Sequence, residues 1–219
     1  MRSYQLGTPS VMPHRRCTNQ AEASLSYIEI PLFNDLKTLL SMRGVESEID
    51  IEFYWFSKNH KDTITYPRNC NAGDWFFHNS GVDLAFDSYV STSVKNGKRK
   101  PVLDGTERFG GILIRGIRPE TNWLTDGEVK SFDGPYKTVD ELFDRFSAIE
   151  TPSDFPILVS YNHSGNIQTS PRKNLIVGKT AEEKVSGILR NNYYDAEQYR
   201  QELTDSFNHY LLKPYRYFL

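Results

Sequence analysis

At 219 residues the chain is long enough to bury roughly 70% of its unfolded surface, as one large domain or two small ones. Aromatic residues make up 13% of it, with 13 Tyr and 13 Phe, which excludes a disordered chain of low hydrophobicity. The 26 Lys plus Arg against 28 Asp plus Glu leave a net charge of -2, without the positive excess on which nucleic-acid binders ordinarily rely. No apolar run approaches the roughly 18 to 20 residues of a membrane span, and Met1 to Gln20 lacks the apolar stretch of a secretory signal. The expected location is therefore cytoplasmic, with no membrane partner. Cys17 and Cys70 lie far apart, outside any Cys-x-x-Cys spacing, so neither a metal site nor a disulfide framework is expected.

In chain order, residues 1–24 are polar, carry Pro9, Pro13 and His14-Arg15-Arg16, and read as an extended arm ahead of one domain over 25–219. Leu32, Leu36, Leu39 and Leu40 follow Pro31 at helical spacing and predict a short amphipathic helix over 31–42. From 45 to 56 the pattern alternates. Glu46, Glu48, Asp50, Glu52 and Tyr54 share one face of a half-exposed strand, and Val45, Ile49, Ile51, Phe53 and Trp55 share the other. Further strands are expected at 74–78, 81–86 and 110–117, with the turn Asn79-Ser80-Gly81 between the first two.

Residues 87–109, with a basic cluster from Lys95 to Lys100, read as a hairpin or insertion between paired strands. Thr138-Val139-Asp140-Glu141 has the form of a capping box opening a helix to Ala148. The last third is expected to be mostly helical, with Asp195 capping a stripe of Ala196, Tyr199, Leu203, Phe207 and Tyr210 that ends before Pro214. Nothing resembles a linker to a second domain. The fold class is α+β, a mainly antiparallel sheet with helices.

Several residues are out of place for a purely structural role. Arg115 shares a strand face with Leu113 and Ile117, and Asp83 sits inside the apolar run Gly81 to Phe86. A buried charge needs a partner, so the two are expected to pair with each other, as a structural ion pair or as the back of a cleft. Glu52 lies on the acidic face of its strand and reads either as part of a solvated edge or, since Tyr54 and Phe56 share that face, as a carboxylate desolvated into a general base. Trp75-Phe76-Phe77-His78 offers either core or a base-stacking platform.

Taken together, these segments resemble the alkyladenine (methylpurine) DNA glycosylase family. Glu52-Phe53-Tyr54 is similar to that family's Glu-Ala-Tyr, and Ile112 to Pro119 to its Leu-Ile-Arg-Ala-x-Glu-Pro strand. Asp133-Gly134-Pro135-Tyr136-Lys137 resembles its Asn-Gly-Pro-Gly-Lys turn, Ser170-Pro171-Arg172-Lys173 its Ser-Pro-Arg element, and Pro214-Tyr215-Arg216-Tyr217 its closing Pro-Trp-Arg-Phe. Where the family carries an intercalating Tyr-Gly pair this chain has Ser80-Gly81, and the local candidates for the family's pocket histidine are His60 and Tyr66.

The resemblance implies a single domain with a curved antiparallel sheet flanked by helices, and release of a damaged purine from double-stranded DNA without a cofactor. It makes Glu52 the general base, with Tyr54, Phe77, His78 and Asp83 around the base, and Arg115, Arg172 and Lys173 toward the phosphate or behind the pocket. Two other readings stand beside it. One is a non-catalytic relative that binds a ligand or nucleic acid through Glu52, Asp83 and Arg115, and the other is a hydrolase of a small nucleoside.

Overall fold

Two long strands form the spine of the protein. β2 (Val45–Ser57) and β8 (Arg108–Pro119) run antiparallel from Ser47 opposite Pro119 to Ser57 opposite Arg108, placing Ile51, Phe53, Ile112 and Ile114 together on one face. This computed structural model describes residues 38–42, 45–95, 97–119, 131–144, 146–150, 155–160, 167–175, 178–192 and 196–218. All of them fall in one compact unit, 37–219; the expected arm over 1–24 lies outside the described residues.

Across the main sheet the strand order is β10 (Ile157–Ser160), β1 (Thr38–Met42), β2, β8, β5 (Gly81–Ala85) and β4 (Trp75–His78), and every pairing is antiparallel. The edge of β2 opposite β8 is shared in series. β1 takes its start, β12 (Arg216–Phe218) its middle and β3 (His60–Lys61) its end. β11 (Gln168–Ser170) extends β12, and β9 (Phe132–Asp133) pairs with β8. β6 (Thr92–Lys95) and β7 (Lys98–Pro101) form a separate two-stranded hairpin within the polar stretch expected to hold one.

The sheet requires close approach between its central strands. A Cβ at Gly110 would lie 2.1 Å from the Tyr54 carbonyl oxygen, so only glycine fits there. Between Asp50 and Ile51 the β2–β8 register shifts, leaving Arg115 as the extra residue of a bulge. Its carbonyl, released from the ladder, accepts from the Gly134 N–H (3.0 Å) and the Thr138 hydroxyl (3.1 Å). These bonds dock α1 (Pro135–Phe143) onto β8.

Two apolar layers flank the sheet. On the Glu52 face, Phe56 and Phe109 stack at 4.9 Å beneath Val185 and Leu189 of α2 (Ala181–Asn192) and Leu203 and Phe207 of α3 (Arg200–Leu211). On the other face, Phe53 packs against Phe86 and Tyr217, and Trp75 against Phe143 and Phe155. The α+β class and the mainly antiparallel sheet are as expected. Among the described residues no helix is long and apolar enough to cross a membrane.

Four local expectations are corrected. Residues 38–42 are a strand rather than the end of a helix, because β1 hydrogen-bonds to β10 on one side and β2 on the other, and two ladders outweigh leucine spacing; the rest of the expected helix, 31–37, lies outside the described residues. β2 is not half-exposed: Ile51, Glu52, Phe53 and Phe56 are all buried, because both faces are covered. α1 starts at Pro135, which follows Gly134 at φ 110°, so Thr138 is a buried residue inside the helix rather than its cap. The last third contributes β10, β11 and β12 as well as α2 and α3. The N-cap of α3 is Tyr199, at the end of a 3-10 turn (Ala196–Tyr199), and Asp195 lies outside the described residues.

Candidate active site

The antiparallel register builds the site. Directly opposite residues share a face, and one row across the sheet reads Asp83, Leu113, Glu52 and Arg216. Two strand spacings of about 4.8 Å therefore separate the Asp83 and Glu52 backbones by roughly 10 Å. Above this row lies a cavity of about 450 Å³, closed on the far side by α2 and the segment Lys173-Asn174-Leu175.

Glu52 forms its floor. It is 1% exposed, yet its carboxylate lines the cavity. Oε2 accepts from the Tyr54 hydroxyl at 2.7 Å, and Oε1 from the Lys173 backbone N–H at 2.9 Å. Two carboxylate oxygens offer about four acceptor positions, so capacity for further donors remains. Burial, and then the Glu52 charge, push the Tyr54 phenol well above its ordinary pKa, so it stays a donor to Glu52. The bulge aims Arg115 at the same floor: its Nε stands 3.5 Å from Glu52 Oε1, too far for a hydrogen bond, and this buried atom has no other hydrogen-bond partner.

The segment that brings the Lys173 N–H to Glu52 is anchored one residue earlier. The Arg172 guanidinium, 0% exposed, meets Asp62 through two bonds of 2.5 and 3.0 Å and donates to the Phe53 carbonyl at 3.1 Å. It lies over the rings of Tyr54 and Tyr215, at 4.6 and 5.3 Å. Burial opposes its charge, but Asp62 more than offsets this and pushes its pKa above the ordinary arginine value. Arg216 is held similarly, by Asp50 at 2.6 Å, although burial still pushes the Asp50 carboxyl up.

The opposite wall carries a second carboxylate. Asp83 is 2.5 Å from Arg68 Nη1 and accepts from His78 Nε2 at 3.1 Å. Since the Ser80 N–H donates to His78 Nδ1 at 3.2 Å, the proton of the neutral ring is on Nε2. Tyr66 stacks on His78 at 5.9 Å and is half exposed at the cavity edge, while Phe76 carries the Arg68 guanidinium on its ring at 4.1 Å. A Cβ at Gly111 would lie 2.8 Å from the Leu84 carbonyl oxygen and 3.2 Å from Arg68 Nη1, so glycine here lets β5 approach and leaves room for that side chain.

Lys173, Lys179 and Lys184 stand around the cavity with Glu183. Five cationic side chains and three carboxylates thus line it, making it locally basic in a chain of net charge -2. Among the described residues no group of three or more His, Cys, Asp or Glu is arranged to hold a metal ion.

Of the residues named from the sequence, Glu52, Tyr54, His78, Asp83, Arg115 and Lys173 meet at this cavity. Phe77 does not: strand alternation sends it to the other face of the sheet, where its ring contacts Phe143 and remains half exposed. Arg172 is sealed behind the cavity by Asp62 and cannot face a phosphate. The expected Asp83–Arg115 pair is also corrected, since Arg68 takes Asp83 while the bulge turns Arg115 to Glu52. Of the two candidates for the pocket histidine, Tyr66 lines the cavity; His60 is bonded to the Trp55 carbonyl and the Tyr215 hydroxyl. Sequence reasoning missed Arg68, Lys179, Glu183 and Lys184. Arg68 lies in an irregular segment without periodicity, and the other three flank or belong to a helix whose approach to the sheet is a tertiary fact.

The fold and site thus define an α+β protein with a mainly antiparallel sheet and a buried carboxylate at the floor of a cavity lined by both charged and apolar side chains. No family model matches the chain, and no solved structure does. It is 28% identical over 141 residues to "Uncharacterized protein L759" of Acanthamoeba polyphaga mimivirus, an alignment covering 57% of this chain and 62% of that relative.

Proposed function

We propose that the chain hydrolyses an N-glycosidic bond, releasing a damaged purine from a flipped-out nucleotide of double-stranded DNA. The observation that carries this reading is the Glu52 carboxylate, buried yet lining the cavity, with acceptor capacity left for a water. Arg115, which lines the cavity beside Glu52, adds positive charge next to that water. In the reaction the bond between C1′ and the purine nitrogen breaks and its electron pair leaves with the base. The water oxygen bonds to C1′, and its proton passes to Glu52.

The surroundings favour such a substrate. Tyr66 and His78 offer ring faces for a base, and Lys173, Lys179 and Lys184 offer positive charge for phosphates. A cavity of about 450 Å³ is of the size that takes small ligands. The segments that resemble the glycosylase family also gather here: Arg216 is paired across from Glu52, Lys173 is bonded to it and Arg115 faces it.

The test is base release from alkylated and deaminated duplex DNA by wild type and Glu52→Gln. Loss of about 100-fold or more in the variant is expected for a general base. Equal rates in the two proteins, or no release by wild type from any such duplex, would sink the proposal.

A small nucleoside substrate is favoured by one observation. The basic cluster at 95–100 belongs to the separate β6–β7 hairpin, and Lys100 there donates to the Arg190 carbonyl at 2.7 Å. Salt separates the readings, because DNA affinity falls steeply with ionic strength and that of a neutral nucleoside does not.

A further inference from the structure

We propose that Asp83 and Arg68 read the edge of the bound purine and select guanine-type bases, which present adjacent N–H donors, over adenine-type bases. The inference rests on the cavity being the nucleobase site of the hydrolase proposed above. Asp83 is 2% exposed and lines the cavity wall. One oxygen accepts from His78 and the other lies against Arg68, so each retains a lone pair. Arg68 Nη1 is buried 2.5 Å from Asp83 Oδ2 and holds that carboxylate as an ion pair. The wall therefore presents a carboxylate with the positive Arg68 guanidinium beside it.

His78 orients one side of this arrangement. The Ser80 N–H donates to Nδ1, so the neutral imidazole carries its proton on Nε2 and donates it to Asp83 Oδ1. Guanine complements the wall: its N1–H and 2-amino group meet the two carboxylate oxygens, and its O6 lies toward the positive Arg68 guanidinium. Hypoxanthine offers one donor fewer. Adenine turns the N1 lone pair toward the carboxylate and leaves a buried acceptor unmatched, which is how hydrogen-bonding sites reject a wrong ligand.

The experiment is calorimetric titration of the full chain carrying Glu52→Gln with deoxyguanosine, deoxyinosine and deoxyadenosine. Deoxyguanosine should bind about tenfold or more tighter than deoxyadenosine, with deoxyinosine between them. An Asp83→Asn amide offers one acceptor and one donor, and should bring the two outer affinities within about twofold. Should that variant fail to fold with Arg68 unpaired, Asp83→Asn with Arg68→Gln makes the same comparison, and the ranking in the Glu52→Gln protein stands as a test by itself. Equal affinities, a preference for deoxyadenosine, or binding of none of the three would overturn the proposal. The two proposals fail separately. Base release by wild type without a guanine preference removes the edge-reading role and leaves the hydrolase, whereas a guanine preference without base release removes the hydrolase and leaves a guanine-binding cavity.

Discussion

Arg172 with Asp62 and Arg115 with Glu52 are the same chemical pair in two states of completion. In the first the two ions share bonds of 2.5 and 3.0 Å, a third bond goes to the Phe53 carbonyl, and neither side chain touches solvent. In the second the ions stand 3.5 Å apart without a hydrogen bond, and the carboxylate looks into a cavity. A pair joined by two hydrogen bonds and sealed from solvent holds the fold, even though Arg172 Nε, like Arg115 Nε, is buried without a hydrogen-bond partner. A pair with unmatched capacity facing a cavity has something left to give a ligand or a water. The two are linked through Lys173, since Arg172 anchors the segment whose next N–H steadies Glu52.

The comparison can be broken in order of effect. Asp62→Ala leaves Arg172 buried and unpaired, and should cost about 3–5 kcal/mol in urea unfolding. Glu52→Gln should cost only about 1–2 kcal/mol by the same measure while removing base release, because the amide still bonds Tyr54 and Lys173. If the two variants lost equal stability, the distinction between them would fail. Tyr54→Phe removes one donor from Glu52 but keeps the ring beneath Arg172, so base release should drop about tenfold with little change in the unfolding midpoint.

The smallest effect is a pH dependence in the sealed region. Burial holds His60 below its ordinary pKa of 6.5. Below that pH the unfolded chain takes up a proton that the folded protein refuses, so stability is present above 6.5 and is lost as pH falls through the depressed folded value. His60→Gln should lose less stability between about pH 7.5 and about pH 5.5 than wild type does, as read from urea midpoints. An equal loss would place the titration elsewhere.

Much of this was legible in the chain. Alternation marked β2, strand-like apolar runs marked β4, β5 and β8, and the mismatch of Arg115 and Asp83 with their apolar strands marked both as charges in need of partners. Alternation also contained the error about Phe77, because Trp75 and Phe77 share one face and Phe76 and His78 the other, and only the second pair faces the site. Thr138 shows a similar limit: its sequence has the form of a cap, but its hydroxyl was needed at the Arg115 carbonyl that the bulge left free.

The sequence by itself determined which residues were charged against their surroundings and which strand face each occupied, because two-residue periodicity is local. Which charge met which was decided by the tertiary structure alone. A one-residue bulge turned Arg115 from Asp83 toward Glu52, and an irregular segment delivered Arg68 in its place. Register between strands far apart in sequence, and the docking of α2 over the sheet, depend on contacts that no local pattern records.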